Sequence, residues 1–371
     1  MKTLRLIFLL MASSIGLQGQ VKSKGNLKSQ DSLSTITLEE VQLTGIRAKN
    51  NTPVTFTNVT QKDIASRNLG QDIPILLNYL PAVVTTSDAG GGIGYTGIRV
   101  RGSDATRVNV TLNGIPYNDA ESQGTFWVNL PDFASSVEQI QLQRGVGTST
   151  NGSAAFGASL NVETVGVQQK AFTSLASSIG SFNTLKNTFQ FSTGILNNNF
   201  SFSGRLSKIN SDGYIDRAAS NLDAYFFQAA FQDDNTLIKA LIFGGHEITY
   251  QSWYGVDAQT LLSNRTYNPA GEIYDNNGNL SGFYENQVDD YTQDHYQFHW
   301  DEKINSFWSA SLGLNYTYGR GFYEEYNDLW YEQNVSYGGN TSFNYLQLEP
   351  INVGETTIGN TENISQKWLD N

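Results

Sequence analysis

From Ala171 to Gly319 the chain is a succession of segments in which every second residue is apolar. Leu185, Phe189 and Phe191 alternate with Lys186, Thr188, Gln190 and Ser192, and Phe200, Phe202 and Leu206 alternate with Ser201, Ser203, Arg205 and Ser207. Tyr225, Phe227, Ala229 and Phe231 continue the pattern, as do Leu237, Leu241 and Phe243, then Tyr296, Phe298 and Trp300, then Trp308 to Tyr318 in steps of two. A period of two is that of a strand with unlike faces. Segments of about ten residues, apolar on one side and small or polar on the other, fit an outer-membrane barrel wall. A soluble sandwich, its apolar faces covered by a second sheet, is the alternative. Connection lengths arbitrate. Counting strands from Ala171, the second and third join through Leu196–Asn199, the fourth and fifth through Asp233–Asn235, and the sixth and seventh through Lys303–Ser306. Ile209–Asn221, Gln251–Asp290 and the stretch after Gly319 are long, and Gly180–Asn183 is a short exception. Barrels have short periplasmic turns and long outer loops, so this parity starts the first strand in the periplasm.

The N-terminus agrees with export. Lys2 and Arg5 precede the apolar run Leu6–Ala12, and small and polar residues follow to Gln20. That is the pattern of a secretory signal peptide, with cleavage expected near Gly19. No later segment approaches the ~20 apolar residues of a transmembrane helix, so any membrane span is expected to be β. The 371 residues include 35 glycines, 19 tyrosines and 20 phenylalanines and carry a net charge of −12. Few charges with many aromatics and glycines point to a mainly β protein. The acidic balance argues against nucleic acid as a partner, because phosphate binding needs clustered Lys and Arg. With no cysteine, disulfides, thiolate metal sites and a cysteine nucleophile are excluded.

Ahead of the alternating half, Val137–Thr164 reads as two strands around a glycine-rich loop. Ile140 and Leu142 alternate with glutamines, Leu160 and Val162 with Ser159, Asn161 and Glu163, and Gly145, Gly147, Gly152 and Gly157 punctuate the small residues between. Ile98–Gly102 and Arg107–Pro116 supply further strands, with a turn at Asn113-Gly114. Thr60 to Asp63 is a capping box opening a helix through Arg67, and Asp72 is placed to cap a second, Ile73–Leu80. Gly92, Gly94 and Gly97 match a dinucleotide fingerprint in form only, because a strand and not a helix follows them.

The Val137–Thr164 unit resembles the signature that closes the plug domain of TonB-dependent outer-membrane receptors. Leu80-Pro81-Ala82-Val83 stands where that resemblance predicts Leu-Pro-Gly-Val. Residues Glu39, Glu40, Val41, Gln42, Leu43, Thr44 and Gly45 then resemble the TonB box, to which the inner-membrane coupling protein adds a strand. The resemblance implies a small α+β plug followed by antiparallel strands of a transmembrane barrel. Its expected divisions are 1–20 signal peptide, 21–46 periplasmic segment, 47–165 plug and 166–371 the first part of the barrel. Seven visible strands are fewer than the ~22 of plugged transporters, and an open sheet leaves unpaired edges in lipid, so further strands are expected beyond Asn371. Plug arginines in the family bridge to barrel carboxylates; Arg99, Arg101, Arg107 and Arg144 are the candidates, with Arg101 and Arg144 matching best. Hydrated Arg–carboxylate contacts suit a plug that must be released stepwise. Candidates for the ligand site are Asp88, Tyr95, Tyr117, Asp119, Glu121, Phe126 and Trp127 of the plug, with Trp253 and Tyr254 of a long loop. Aromatics in these loops equally suit packing onto the sheet or the girdle at the bilayer interface.

No catalytic constellation is expected. His295 and His299 share one strand face but lie ~13 Å apart, too far to share a metal. Tyr274–Asn279 lacks the closing bidentate Glu of a calcium loop and reads as a hairpin turn. The expected protein is a non-enzymatic importer, without cofactor, of a scarce solute. A ferric siderophore or similar iron complex comes first; oligosaccharide, haem or cobalamin, or a non-transporting β-rich adhesin, are the alternatives. Its expected partners are TonB with its energising complex, outer-membrane lipid and the small-molecule ligand.

Overall fold

The computed structural model describes residues 46–147, 155–275 and 277–326, together with the backbone of two short strands, Ile351–Val353 and Thr356–Ile358. The expected signal peptide, the Glu39–Gly45 segment and residues 148–154 of the glycine loop lie outside the described residues.

The first half builds from a mixed sheet. Its strands are β1 (Thr55–Thr60), β4 (Val108–Leu112), β5 (Ile115–Pro116), β6 (Val137–Arg144) and β7 (Ala158–Thr164), in spatial order β1-β6-β7-β4-β5. The alternating apolar residues meet across it: Ile140 lies opposite Val162 and Leu142 opposite Leu160 in the antiparallel β6–β7 pair. β7 runs parallel to β4, with Val110 opposite Leu160. These side chains are at most 1% exposed, and each fully buried Leu, Ile or Val contributes ~1.5–3 kcal/mol relative to exposure. Asn113 and Gly114 both take positive φ, 53° and 79°, as a tight turn between β4 and β5 requires. A hairpin of β2 (Val83–Ser87) and β3 (Thr96–Val100) and two short helices, α1 (Gln61–Ala65) and α2 (Ile73–Leu76), close the core. Strand β1, TFTNVT, was not anticipated; only Val59 marks its buried face.

The capping box forms: the Asp63 carboxylate accepts from the Thr60 backbone N–H at 3.0 Å and the Thr60 hydroxyl accepts from the Asp63 N–H at 3.4 Å. Both helices are shorter than their patterns predict. Asp72 does not cap α2 with its side chain; its buried carboxyl instead accepts from the Thr96 hydroxyl at 2.9 Å. Burial pushes this carboxyl up to about 8, the Thr96 bond offsetting only part of the effect.

The second half is a seven-stranded antiparallel sheet. Its members are β8 (Ala171–Ile179), β9 (Leu185–Leu196), β10 (Phe200–Ser211), β11 (Ser220–Gln232), β12 (Thr236–Tyr250), β15 (Val288–Lys303) and β16 (Ser309–Tyr323), each paired to the next. The long connection after β12 holds a helical turn, α3 (Ala258–Ser263), and the hairpin β13 (Glu272–Tyr274) and β14 (Leu280–Phe283). Between the two strands of that hairpin Asp275 accepts from the backbone N–H groups of Asn277 and Asn279. No helix among the described residues is long and apolar enough to cross a membrane.

The faces of this sheet decide its solvent. Lys186, Thr188, Ser203, Arg205, Ser207, Lys239, His295, Gln297 and His299 are buried, whereas Leu175, Phe189, Phe202, Leu206, Phe298 and Leu314 are exposed. Buried polar and exposed apolar rows invert the pattern of a sandwich, in which the apolar rows would be covered. The polar face closes on the first domain, which fills the concave side. Strand β12 departs from expectation: Leu237, Leu241 and Phe243 point inward, and Ile238 and Ile242 point outward. The reason is local, because Phe243 and Phe226 pack against Phe133 of the inner domain with ring centroids 5.2 Å and 6.4 Å away. This strand is apolar on both faces, so its period alone does not give its orientation.

Candidate functional site

Two of the regions where the inner domain meets the wall carry the polar chemistry. The first centres on Asp132, in the loop between β5 and β6. Its φ of 50° is left-handed, a conformation Asp tolerates better than most residues, and its side chain is fully buried. It meets two wall cations, Lys186 Nζ at 2.6 Å and Arg205 Nη1 at 3.3 Å. Thr188 and Ser207 donate to the same carboxylate at 2.7 and 2.5 Å, and Ser135 donates from the plug side at 2.5 Å. Burial alone would raise this carboxyl; Arg205 and Lys186 outweigh it and hold the group well below the usual carboxylate range. Arg205 also donates to Ser136 and to the Asp132 carbonyl. At Gly245 of β12 the wall gives way to the same loop: a Cβ there would lie 2.5 Å from Pro131 Cδ.

The second region is a cavity of about 460 Å³ where the 116–129 loop and Tyr95 face strands β12, β15 and β16. That volume is within the range of small-ligand sites. The Tyr95 hydroxyl donates to Asp289, the Tyr117 hydroxyl to Gln293 at 3.3 Å, and Asn113 to Gln297 at 3.0 Å. Tyr117 also packs on His295, and Trp253 meets Tyr95 edge-on with centroids 5.3 Å apart. Burial raises both phenols above their ordinary range, the Glu247 carboxylate adding to the effect at Tyr95, so both remain hydrogen-bond donors. Asp119 rims the cavity and accepts from the backbone N–H groups of Ser122 and Glu121; these bonds, that of Ser122 first, hold its carboxyl below the usual range.

Of the ligand-site candidates, the structure brings Tyr95, Tyr117, Asp119 and Phe126 to this cavity, and Trp253 stands behind Tyr95. Tyr254 lies beside Trp253 and donates to Glu325 at 2.7 Å. Asp88 sits in the β2–β3 loop outside the cavity lining, its backbone N–H bonded to the Tyr95 carbonyl at 3.0 Å and its carboxyl raised by burial. Glu121 is exposed on its loop. Trp127 belongs to the hydrophobic core at 2% exposure; its ring packs the loop onto the sheet and does not face the cavity. Glu247, Asp289, Tyr291 and Gln293 were missed, although a run of acids and aromatics at one end of a lumen face is visible in the sequence as EITY and DDYTQD.

Among the described residues the four candidate arginines meet groups of the inner domain. Arg99 reaches Asp104 at 3.9 Å, and Arg144 donates to the Pro81 carbonyl at 3.0 Å and the Thr57 hydroxyl at 2.9 Å. Arg101 lies beside Gly145, and Arg107 offers its carbonyl to the Gly157 N–H at 2.7 Å. Those partners all belong to the inner domain. Among the described residues the polarity is reversed: the inner domain supplies the carboxylate and the wall the cations. Residues 46–48, just past the Glu39–Gly45 segment, lie along β6, where Gln141 and Gln143 bond their backbone and Arg47 pairs with Glu163 at 2.5 Å and donates to Gln139.

Comparison with known proteins is consistent along the chain. Residues 48–159 match the family model described as TonB-dependent Receptor Plug Domain. The Vitamin B12 transporter BtuB of Vibrio vulnificus (strain YJ016) is 28% identical over 173 residues, 46% of this chain and 27% of that protein. The alcaligin outer-membrane receptor FauA from Bordetella pertussis superposes with a TM-score of 0.56 at 13% identity, over 75% of this chain and 41% of that one. The siderophore receptor PirA from Acinetobacter baumannii gives 0.53 at 17% identity, over 71% and 40%. The ferric citrate transporter FecA in its unliganded form gives 0.55 at 16%, over 73% and 41%. At such identities the solved structures share the fold, and this chain spans 27% to 41% of these relatives' lengths. The glycine-looped strand pair at the centre of the inner sheet and the family match together place a TonB-dependent receptor plug domain at residues 48–159, and the wall around it shares the fold of part of the barrel in receptors of that kind.

Proposed function

We propose that this protein is an active importer of the outer membrane, in which a solute captured at the apical cavity enters when the plug is displaced by a pull on Glu39–Gly45. The observation that carries the reading is the wall itself: an apolar row turned outward and a polar row turned inward onto a domain held by few charged contacts. Such a wall suits lipid outside and a hydrated, movable cork inside. In this reading residues 1–20 direct export, 21–46 lie in the periplasm, and the short wall connections face the periplasm too. The pull has a ready path, because residues 46–48 are clasped to β6, the strand next to the plug's centre.

A non-transporting adhesin would need the same cavity but no coupling segment. Deleting Glu39–Gly45 in the complete receptor separates the two: uptake is lost while surface binding persists if the importer reading holds, whereas binding without uptake both before and after the deletion contradicts it. For the solute, ferric chelates came first from the sequence, and the relatives named above include siderophore and vitamin B12 proteins. The described lining of the cavity contains no lysine or arginine, which favours solutes of that list without strong negative charge.

A further inference from the structure

The apical cavity holds more hydrogen-bond acceptors than its own donors satisfy. Glu247 is 2% exposed, yet the bond recorded to its carboxylate is a long one, 3.4 Å from the Thr249 hydroxyl, and no Lys or Arg pairs with it among the described residues. Asp289 stands on the same face of the neighbouring strand, since Thr249 is its partner across the sheet and Glu247 is two residues from Thr249. It receives one phenol hydrogen bond, from Tyr95. Asn129 supplies an independent observation: the residue lines the cavity, is 8% exposed, and its Oδ1 is buried without a hydrogen-bond partner among the described residues. Asp119 adds a carboxylate held ionised at the rim. Around these acceptors stand the rings of Tyr95, Tyr117, Phe126 and Tyr291.

Acceptors enclosed by aromatic faces are complementary to one kind of guest. Two carboxylates side by side repel each other and any anion, whereas a cation satisfies both and is attracted to ring faces as well. An N–H donor on the same guest would complete Asn129, whose unmet acceptor otherwise costs free energy. A bare metal ion is the poorer guest, because no group of three or more His, Cys, Asp or Glu side chains among the described residues could hold one. We propose that the apical cavity receives a solute bearing a positively charged, N–H-donating group on an apolar body, with Glu247 and Asp289 pairing with the charge and Asn129 accepting from the donor. This inference rests on the importer reading only for its destination; binding at the cavity is measurable without transport.

The test is calorimetric titration of the complete receptor in lipid nanodiscs with three probes of one size: benzylammonium, benzyl alcohol and benzoate. Benzylammonium binds saturably, weakens at least tenfold as salt rises from 20 to 500 mM (roughly the span over which screening acts), and outcompetes both other probes. Glu247→Gln with Asp289→Asn reduces its affinity at least tenfold, and Asn129→Leu reduces it less. Equal or tighter binding of benzoate, or cation binding that ignores both salt and the paired substitution, overturns the proposal. The salt series uses the unmodified protein, so it decides the matter even where the variants fold poorly. TonB-dependent uptake of an anionic solute would overturn this proposal while leaving the importer reading intact.

Discussion

Replacing Asp132 with Asn removes one negative charge from a site where two wall cations converge. At an effective dielectric of about 20, contacts of 2.6 and 3.3 Å correspond to roughly 6 and 5 kcal/mol of gross attraction. Desolvation of three buried groups takes back most of that, so the pair network itself is worth little relative to an apolar replacement. Removing one member is different. Lys186 and Arg205, 6% and 2% exposed at their side chains, would then be buried charges with no counter-ion, which costs about 3–5 kcal/mol. An exposed ion pair would lose at most about 1 kcal/mol. The hydroxyl contacts of Thr188, Ser207 and Ser135 survive in part through the remaining amide oxygen. The readout is amide hydrogen exchange in the complete receptor, followed for peptides spanning 127–144. Three or more kcal/mol of destabilised docking lowers protection there by ~100-fold or more, at ~1.4 kcal/mol per decade. Adding Lys186→Met and Arg205→Met to Asp132→Asn restores most of the protection, because no charge is then left unpaired. A fall of less than fivefold in the single variant, or no recovery in the triple variant, would show that the cluster does not hold the plug to the wall.

Asp72 yields a pH dependence of defined sign. Its carboxyl keeps its proton up to about 8 when folded, against 3.8 as the ordinary value, so the native state binds more protons between those limits. Stability therefore falls as pH rises through that window, by up to ~1.4 kcal/mol per pH unit, and Asp72→Asn flattens the slope in denaturant titrations from pH 5 to 8. Asp132 does not confound the measurement: its carboxyl is lowered, so its contribution is fully present above the ordinary value and lost only in stronger acid. Gly157→Ala would place a Cβ 2.4 Å from Ser103 Cβ and 3.1 Å from the Arg107 carbonyl, costing about 1–3 kcal/mol through forced displacement, seen as a lower midpoint for plug unfolding. Arg47→Ala removes the pair with Glu163 and the bond to Gln139; about 1 kcal/mol of lost clasp raises limited proteolysis between residues 46 and 52 roughly fivefold, with the plug core unchanged.

What the sequence discloses here follows from how local each cause is. The wall strands are legible because one face is an exposed apolar row and the other a buried row of small polar groups, and a period of two records that directly. Strand β12 breaks the record since Leu241 and Phe243 answer to the plug, and Phe243 packs on Phe133, more than a hundred residues earlier. The β6–β7 pair was legible from its apolar alternation, whereas β1 buries only Val59 and offers no period. Asp72 shows that a cap position states where a helix begins, not where the carboxyl points; Thr96 drew it away. The cavity's plug side was found through exposed loop aromatics, but Trp127 looked the same in sequence and belongs to the core. Lys186 and Arg205 were visible as inner-face residues, yet their meeting with Asp132 depends on docking between domains, which spacing along the chain does not encode.

The most direct measurement of the central claim is quenching by lipids brominated along their acyl chains. Single tryptophans are placed at Phe202, Phe227 or Leu314 of the outward row and at Ser203, Gln228 or Gln297 of the inward row, in the complete receptor with its native tryptophans replaced. Strong quenching of the first three and almost none of the second three is the outcome expected of a lipid-facing wall around a plug. Equal quenching of both rows, or stronger quenching of the inward one, would contradict it.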